Sequence, residues 1–274
     1  MKDCDRSTHF FSIMISISSL LGMLNQMLQK NLDLSRITKV ASLLILSGVS
    51  PASIDKAVLK KCIAEQNADG GWISIPDTIW NTLFLRLSND ESALDRYRLG
   101  CNYLINNRNK HGLWGRGIRD VPRIPVTGII AYLLPELVTH RELELLEELW
   151  ISEKNSLTYK AGYTLLAFKS THHTPSTTDL IEDTVEWLIQ NQRLDGGFAP
   201  WKDHPIDSDV YCTSIACLGL IAYSCYVPKS VIEAATNWLV STQLKSGIWK
   251  YHEIEDGASW GLLCLSMAKR YSDQ

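Results

Sequence analysis

Apolar residues recur every three to four positions along most of this chain, and the runs come in pairs. AVLKKCIAEQ (57–66), YRLGCNYLINN (97–107), TVEWLIQNQ (184–192) and AATNWLVSTQ (234–243) carry apolar residues at i, i+3 and i+4 with polar residues between them, the pattern of a helix that buries one face. Second apolar runs follow after variable loops: TIWNTLFLRL (78–87), VTGIIAYLL (126–134), AGYTLLAF (161–168), YCTSIACLGLIAY (211–223) and SWGLLCLSMA (259–268). The pattern predicts helix, Gly-rich turn, loop, helix as a repeated unit.

The turns repeat as well. QNADGGW (66–72), NRNKHGLW (107–114), QRLDGGF (192–198) and QLKSGIW (243–249) end four of the first helices. Trp72 and Trp114 are 42 residues apart, Trp114 and Phe198 are 84 apart, and Phe198 and Trp249 are 51 apart. A unit without its aromatic turn is therefore expected near ISEKNSLTY (151–159). The reading is a single domain over 1–274, with units at roughly 53–90, 91–137, 138–171, 180–224 and 229–270 and a further helix pair in 1–52. Gly in each turn supplies the positive φ that stops a helix. The Gln amide is expected to bond backbone groups left unpartnered at helix ends, and the aromatic to plug the space between units. One such unit cannot bury its own apolar face, so several must stack.

These Gln-to-aromatic turns resemble the repeats of squalene and oxidosqualene cyclases, class II terpene cyclases and protein prenyltransferase β subunits, over roughly residues 53–270. The resemblance implies an all-α fold, one closed α/α toroid of about six helix pairs, with inner helices around an apolar cavity. It implies an enzyme that cyclises an isoprenoid chain by protonation. The alternatives are a zinc-dependent prenyltransferase β-like subunit and a non-catalytic toroid that binds a lipid or a protein.

Composition narrows this picture. The formal net charge is −3, so no basic footprint argues for nucleic acid. Nine Trp and ten Tyr fit either a dense core or an aromatic cavity. The seven Cys, at 4, 62, 101, 212, 217, 225 and 264, include no CxxC pair and read as reduced, mostly buried thiols of a cytosolic protein. FFSIMISISSLLGML (10–24) is short for a membrane span. It reads as a buried helix, with a helix lying in a membrane surface as the alternative. Peripheral membrane contact and a partner subunit both stay open.

The candidate chemistry lies where the second helices begin. Aligned on the Thr of their first turn, these helices place Thr82, Thr127, Gly162, Thr213 and Trp260 in one column. Four residues earlier stand Thr78, Arg123, Thr158, Asp209 and Asp256, expected to ring one mouth of the cavity. In GGFAPWKDHPIDSDVYCT (196–213), Asp207, Ser208 and Asp209 are similar to the D-x-D of the D-x-D-D-T motif of class II cyclases. By that resemblance Asp209 is the proton donor and Asp207 its partner. Val210 stands where the motif has its last Asp, and the Thr comes two residues late. Two carboxyls in an apolar site can share a proton because both ionise together only at high cost. The competing reading is helix capping, for Asp256 above all, which is otherwise a residue of the substrate site.

Trp80, Tyr159, Tyr211 and Trp260 are the aromatics expected to line the cavity and face a carbocation, with core packing as the alternative. In the basic cluster GRGIRDVPR, Arg116, Arg119 and Arg123, with Lys160 in the next unit, are the cations expected to grip an anionic head such as a diphosphate, against a solvated loop. Proton-initiated chemistry requires no cofactor, and Mg²⁺ enters only with a diphosphate substrate. Asp209, Cys212 and His252 form the one zinc set the sequence offers. No DDxxD, HExxH, GxSxG or Gly-rich phosphate loop occurs.

Overall fold

A computed structural model describes residues 2–273, with side chains from residue 8 onward; the Cys4 thiol lies outside the described side chains. Among the described residues there are twelve α-helices: α1 (Lys2–Gln29), α2 (Leu34–Leu46), α3 (Lys56–Ala64), α4 (Ile75–Leu87), α5 (Leu94–Asn106), α6 (Ile124–Leu133), α7 (His140–Glu153), α8 (Thr158–Ser170), α9 (Leu180–Asn191), α10 (Val210–Ala222), α11 (Lys229–Thr242) and α12 (Ile254–Ser272). The even-numbered helices pack side by side as an inner ring. α2 touches α4, α6 touches α8, α8 touches α10, α10 touches α12, and α12 returns to α2. The seam between α4 and α6 is the loosest. Odd-numbered helices lie outside, each against the inner helices of its own or the neighbouring pair.

The turn residues account for the stacking. Gly70, Gly112, Gly196 and Gly247 have φ between +80° and +92°, a region that costs any other residue strain. The Gln amide, expected from sequence to serve unpartnered helix ends, bridges two units instead. Gln192 Nε2 donates to the carbonyl of Gly196 in its own turn and to that of Val231 in α11, both at 2.9 Å. Gln66 spans in the same way to Gly70 and Arg96, and Gln243 to Gly247 and Ser12. Each Gln thus ties one unit to the next outer helix. In the second turn Arg108 takes over, donating to the Leu137 carbonyl and lying 4.9 Å from the Trp114 ring. Trp114 and Trp249 each donate an indole N–H at 2.8 Å to a carbonyl ten residues back, in the preceding outer helix.

The turn then latches onto its inner helix. Thr78, Thr127 and Thr213 accept the backbone N–H of Trp72, Trp114 and Phe198. The first of these is Thr78, not the Thr82 of the sequence alignment, because only residues 73–74 separate Trp72 from α4, whereas residues 115–123 and 199–209 precede α6 and α10. The third unit has no aromatic turn. Residues 154–157 alone link α7 to α8, and Trp150 fills the gap by donating to Thr184. At the tightest seam, a Cβ on Gly162 of α8 would lie 2.5 Å from the Ile215 carbonyl of α10.

The N-terminal apolar run differs from its expectation as a short buried helix. It belongs to the 28-residue outer helix α1, and only 33% of its apolar window is buried. Phe10, Phe11 and Met14 are exposed. Its inward face still docks on the last unit, where Ser16 donates to the Gly247 carbonyl.

Candidate active site

The inner helices begin at one end of the ring. The loops feeding them enclose a cavity of roughly 1020 Å³ there, bordered by Arg116, Tyr159, Asp209, Tyr211, Trp249, Lys250, Tyr251 and Asp256 among others. Tyr159 and Tyr211 come from the first turns of α8 and α10, Asp256 from the first turn of α12, and Tyr251 from the loop before it. Tyr211 and Tyr251 stack with ring centroids 6.0 Å apart, and Tyr159 lies 5.9 Å from Tyr211. Below them the aromatic column continues into the ring: Tyr163 meets Trp260 at 5.9 Å, and Trp260 meets Trp80 at 6.1 Å.

Trp80 and Trp260 therefore fill the centre of the toroid beneath the cavity. Trp260 is 1% exposed, and neither borders the cavity. They pack the ring below it, with Tyr163 in contact with both Tyr211 and Trp260. The hydroxyls of Tyr163 and Tyr211 are 2.9 Å apart. Burial pushes both phenols well above their usual range, as it does Tyr251, where Asp209 and Asp256 add to the effect. All three stay neutral at any ordinary pH.

Among the described residues two carboxylates reach the cavity. Asp209 caps α10, its Oδ1 accepting the Cys212 N–H at 2.8 Å. Asp256 projects from the first turn of α12 and meets Lys39 of α2 at 3.2 Å. Burial raises its carboxyl above the ordinary range, against the opposing pull of Lys39. Lys39 also sits 5.4 Å from the Trp80 ring. Asp207, three residues before α10, is exposed, does not border the cavity and makes no hydrogen bond to Asp209 among the described residues. The paired-carboxyl geometry expected of Asp207 and Asp209 is not formed.

The cations are rearranged too. Arg123 is clamped to Asp120 through Nε at 2.6 Å, Lys160 is paired with Glu153, and Arg119 is exposed away from the cavity. The cations at the cavity mouth are Arg116 and Lys250. Asp209, Cys212 and His252 do not converge; among the described residues no three His, Cys, Asp or Glu side chains are grouped as metal ligands would be. Burial pushes the Cys212 thiol strongly up, with Asp209 adding to it, so it is an inert thiol rather than a thiolate ligand. The six Cys with described side chains are free, and five are buried.

Sequence reasoning missed Tyr251, Lys39 and Lys250 as site residues, whereas Arg116 of its basic cluster does border the cavity. Tyr251 had a faint signal, standing two residues after the aromatic of its turn. Lys39 had none, because only closure of the ring brings α2 to α12.

No protein-family profile matches the chain. Lanosterol synthase from Pneumocystis carinii is 33% identical over 79 residues, which are 26% of this chain and 11% of the synthase; the chain thus spans about a tenth of the curated relative it matches. Among solved structures, the type II terpene cyclase MstE from Scytonema, in a variant complexed with merosterolic acid A as product, superposes with a TM-score of 0.73 at 15% identity over 100% of both chains. The apo form of MstE gives 0.72 at 16% identity over 98% of this chain and 99% of that one. A protein from Actinoplanes gives 0.62 at 15% identity, covering 88% and 90%. The chain has the toroid fold of the type II terpene cyclases.

Proposed function

We propose that this protein is a terpene cyclase that folds an isoprenoid chain in the mouth cavity and cyclises it by protonation. The observation that carries the reading is the cavity itself: roughly 1020 Å³, walled by neutral tyrosines and holding the carboxyls of Asp209 and Asp256. The toroid shared with MstE over the full length of both chains supports it, as does the short stretch in common with a lanosterol synthase.

The chemistry follows from the wall. A carboxylic acid in its neutral form donates a proton to an alkene or epoxide. The chain is left with a carbocation, which the negative faces of Tyr159, Tyr211 and Tyr251 stabilise. Neutral phenols are needed here, because a phenolate would trap the cation covalently. Packing of the hydrocarbon against this wall keeps water from quenching the cation early. Arg116 and Lys250 at the mouth suit an anionic head on the substrate, a carboxylate or a diphosphate; a diphosphate would bring Mg²⁺ with it. In MstE the product carries an acid name, in keeping with such a head.

The mouth also suits delivery from a bilayer. Ile118, Val121, Trp201, Ile206, Leu244 and Ile254 are exposed on the loops and helix start around it. With Arg116, Lys202 and Lys250 among them, this rim fits an anionic membrane surface, from which an oily substrate would pass directly into the cavity.

The test is product formation by the purified protein with prenyl diphosphates, their epoxides and prenylated aromatic acids, read by mass spectrometry. A product of unchanged mass and altered retention is expected. A product heavier by a prenyl unit would instead establish a transferase, and full recovery of every substrate would remove the cyclase reading.

A further inference from the structure

On the reading of the cavity as a proton-initiated cyclase site, we infer that Asp256, held by Lys39 across the closing seam of the ring, is the acid that delivers the proton, and that Asp209 is a structural cap. The two carboxyls share one cavity but are held differently. Asp209 spends an oxygen on the Cys212 N–H, and its own N–H is bonded to the Phe198 carbonyl. It fixes the start of α10 and the end of the QRLDGGF turn. Protonating it would weaken the cap.

Asp256 makes no cap. Its Oδ1 meets Lys39, and its Oδ2 has no hydrogen bond to the protein among the described residues. Its side chain is 13% exposed, in a wall otherwise aromatic on that side. The groups facing it are Lys39 from α2, Tyr211 from α10, Tyr163 from α8, Tyr251 from the preceding loop, and Glu253 and Glu255 on its own segment. Arg36 of α2 neutralises Glu255. The phenols are neutral, so among the described residues Lys39 is the one cation in contact with Asp256.

That arrangement suits an acid that must be neutral before the step and stable as an anion after it. The Asp256 O–H bond breaks and a C–H bond forms at the alkene, or an O–H bond at the epoxide. The positive charge passes to the chain beside Tyr211 and Tyr251. Ring C–C bonds form from the remaining π pairs, and the last cation loses a proton to water. Asp256 is reprotonated from solvent at the open mouth, so the product is an isomer of the substrate. The carboxylate formed in between lies against the Lys39 ammonium and in the first turn of the 19-residue α12, whose N-terminal field favours it. Lys39 is a positioning residue: it sets the strength of the acid without touching substrate.

The experiment compares Asp256→Asn, Asp209→Asn, Lys39→Met and Lys39→Arg in the full chain, each checked by thermal melt. Where the wild type turns over, Asp256→Asn should lose about a thousandfold or more in kcat, within the span of general-acid catalysis, and Asp209→Asn should stay within about tenfold. Lys39→Met should move the alkaline limb of the kcat profile to higher pH, and Lys39→Arg should restore it. Carboxyl ¹³C spectra of labelled wild type, assigned with Asp256→Asn, should show Asp256 titrating above the ordinary Asp value of about 3.9. Turnover by Asp256→Asn near the wild-type rate, loss confined to Asp209→Asn, or an Asp256 resonance titrating at or below that value would overturn the assignment. Absence of turnover by the wild type would instead remove the cyclase reading on which it rests.

Discussion

Replacing Gln192 by Glu tests the account of how the units are joined. Its amide nitrogen donates to two carbonyls at 2.9 Å, Gly196 in its own turn and Val231 in the next outer helix. Gln192→Ala removes two partly buried hydrogen bonds, each worth about 0.5–1.5 kcal/mol net. A loss of about 2 kcal/mol is expected, or roughly 4–8 °C in Tm for a chain of this size. Gln192→Glu keeps the shape but turns the donor into a carboxylate facing two carbonyl oxygens. It should therefore be less stable than Gln192→Ala at pH 7. On acidification the neutral carboxyl regains one O–H donor. Its folded pKa is raised above the unfolded value of about 4.3, so the recovered stability is complete below that value and lost as pH rises through the folded pKa. Thermal melts of the three proteins between pH 4 and pH 8 give the comparison. A Gln192→Glu protein as stable as wild type at pH 7 would refute the clasp.

Two further outcomes follow from the geometry. Glu147 of α7 accepts the N–H groups of Ser176 and Thr177 and stands 3.3 Å from His173. Burial pushes its carboxyl up, but the hydrogen bonds of Thr177 and Ser176 together outweigh this and hold it at about 2. The depressed value means stability present above pH 4.5 and lost as pH falls toward 2, so the Tm advantage of wild type over Glu147→Gln should shrink across that window; a constant difference would count against the assignment. At the mouth, Trp201→Ser and Ile206→Ser should each lower binding to vesicles of anionic lipid roughly fivefold, from about 1 kcal/mol of lost apolar contact, measured by sedimentation; unchanged binding by the double variant would exclude the rim as the docking face.

What could be read from the chain alone was whatever repeats locally. Helical periodicity, a glycine with positive φ and an aromatic six residues after a helix-ending Gln are properties of short segments, so the paired helices and their turns stood in the sequence. The capping role of Asp209 was visible for the same reason, since a cap is settled within three residues of itself. Loop length already blurred the reading, and the latch to the first turn fell on Thr78 rather than Thr82.

The site was decided by closure. Lys39 and Asp256 are 217 residues apart, and no periodicity links them; they meet because six inner helices complete one circle. The same closure brings Trp80 edge-on to Trp260 and makes both part of the packed centre of the ring rather than of the cavity wall. Local pairing removed other candidates: Asp120 takes Arg123 and Glu153 takes Lys160, each a choice between solvent, substrate and neighbour that composition cannot rank. Repetition within the chain specified the units, whereas the meeting of its first inner helix with its last, a contact of the longest range, set the charge and shape of the cavity.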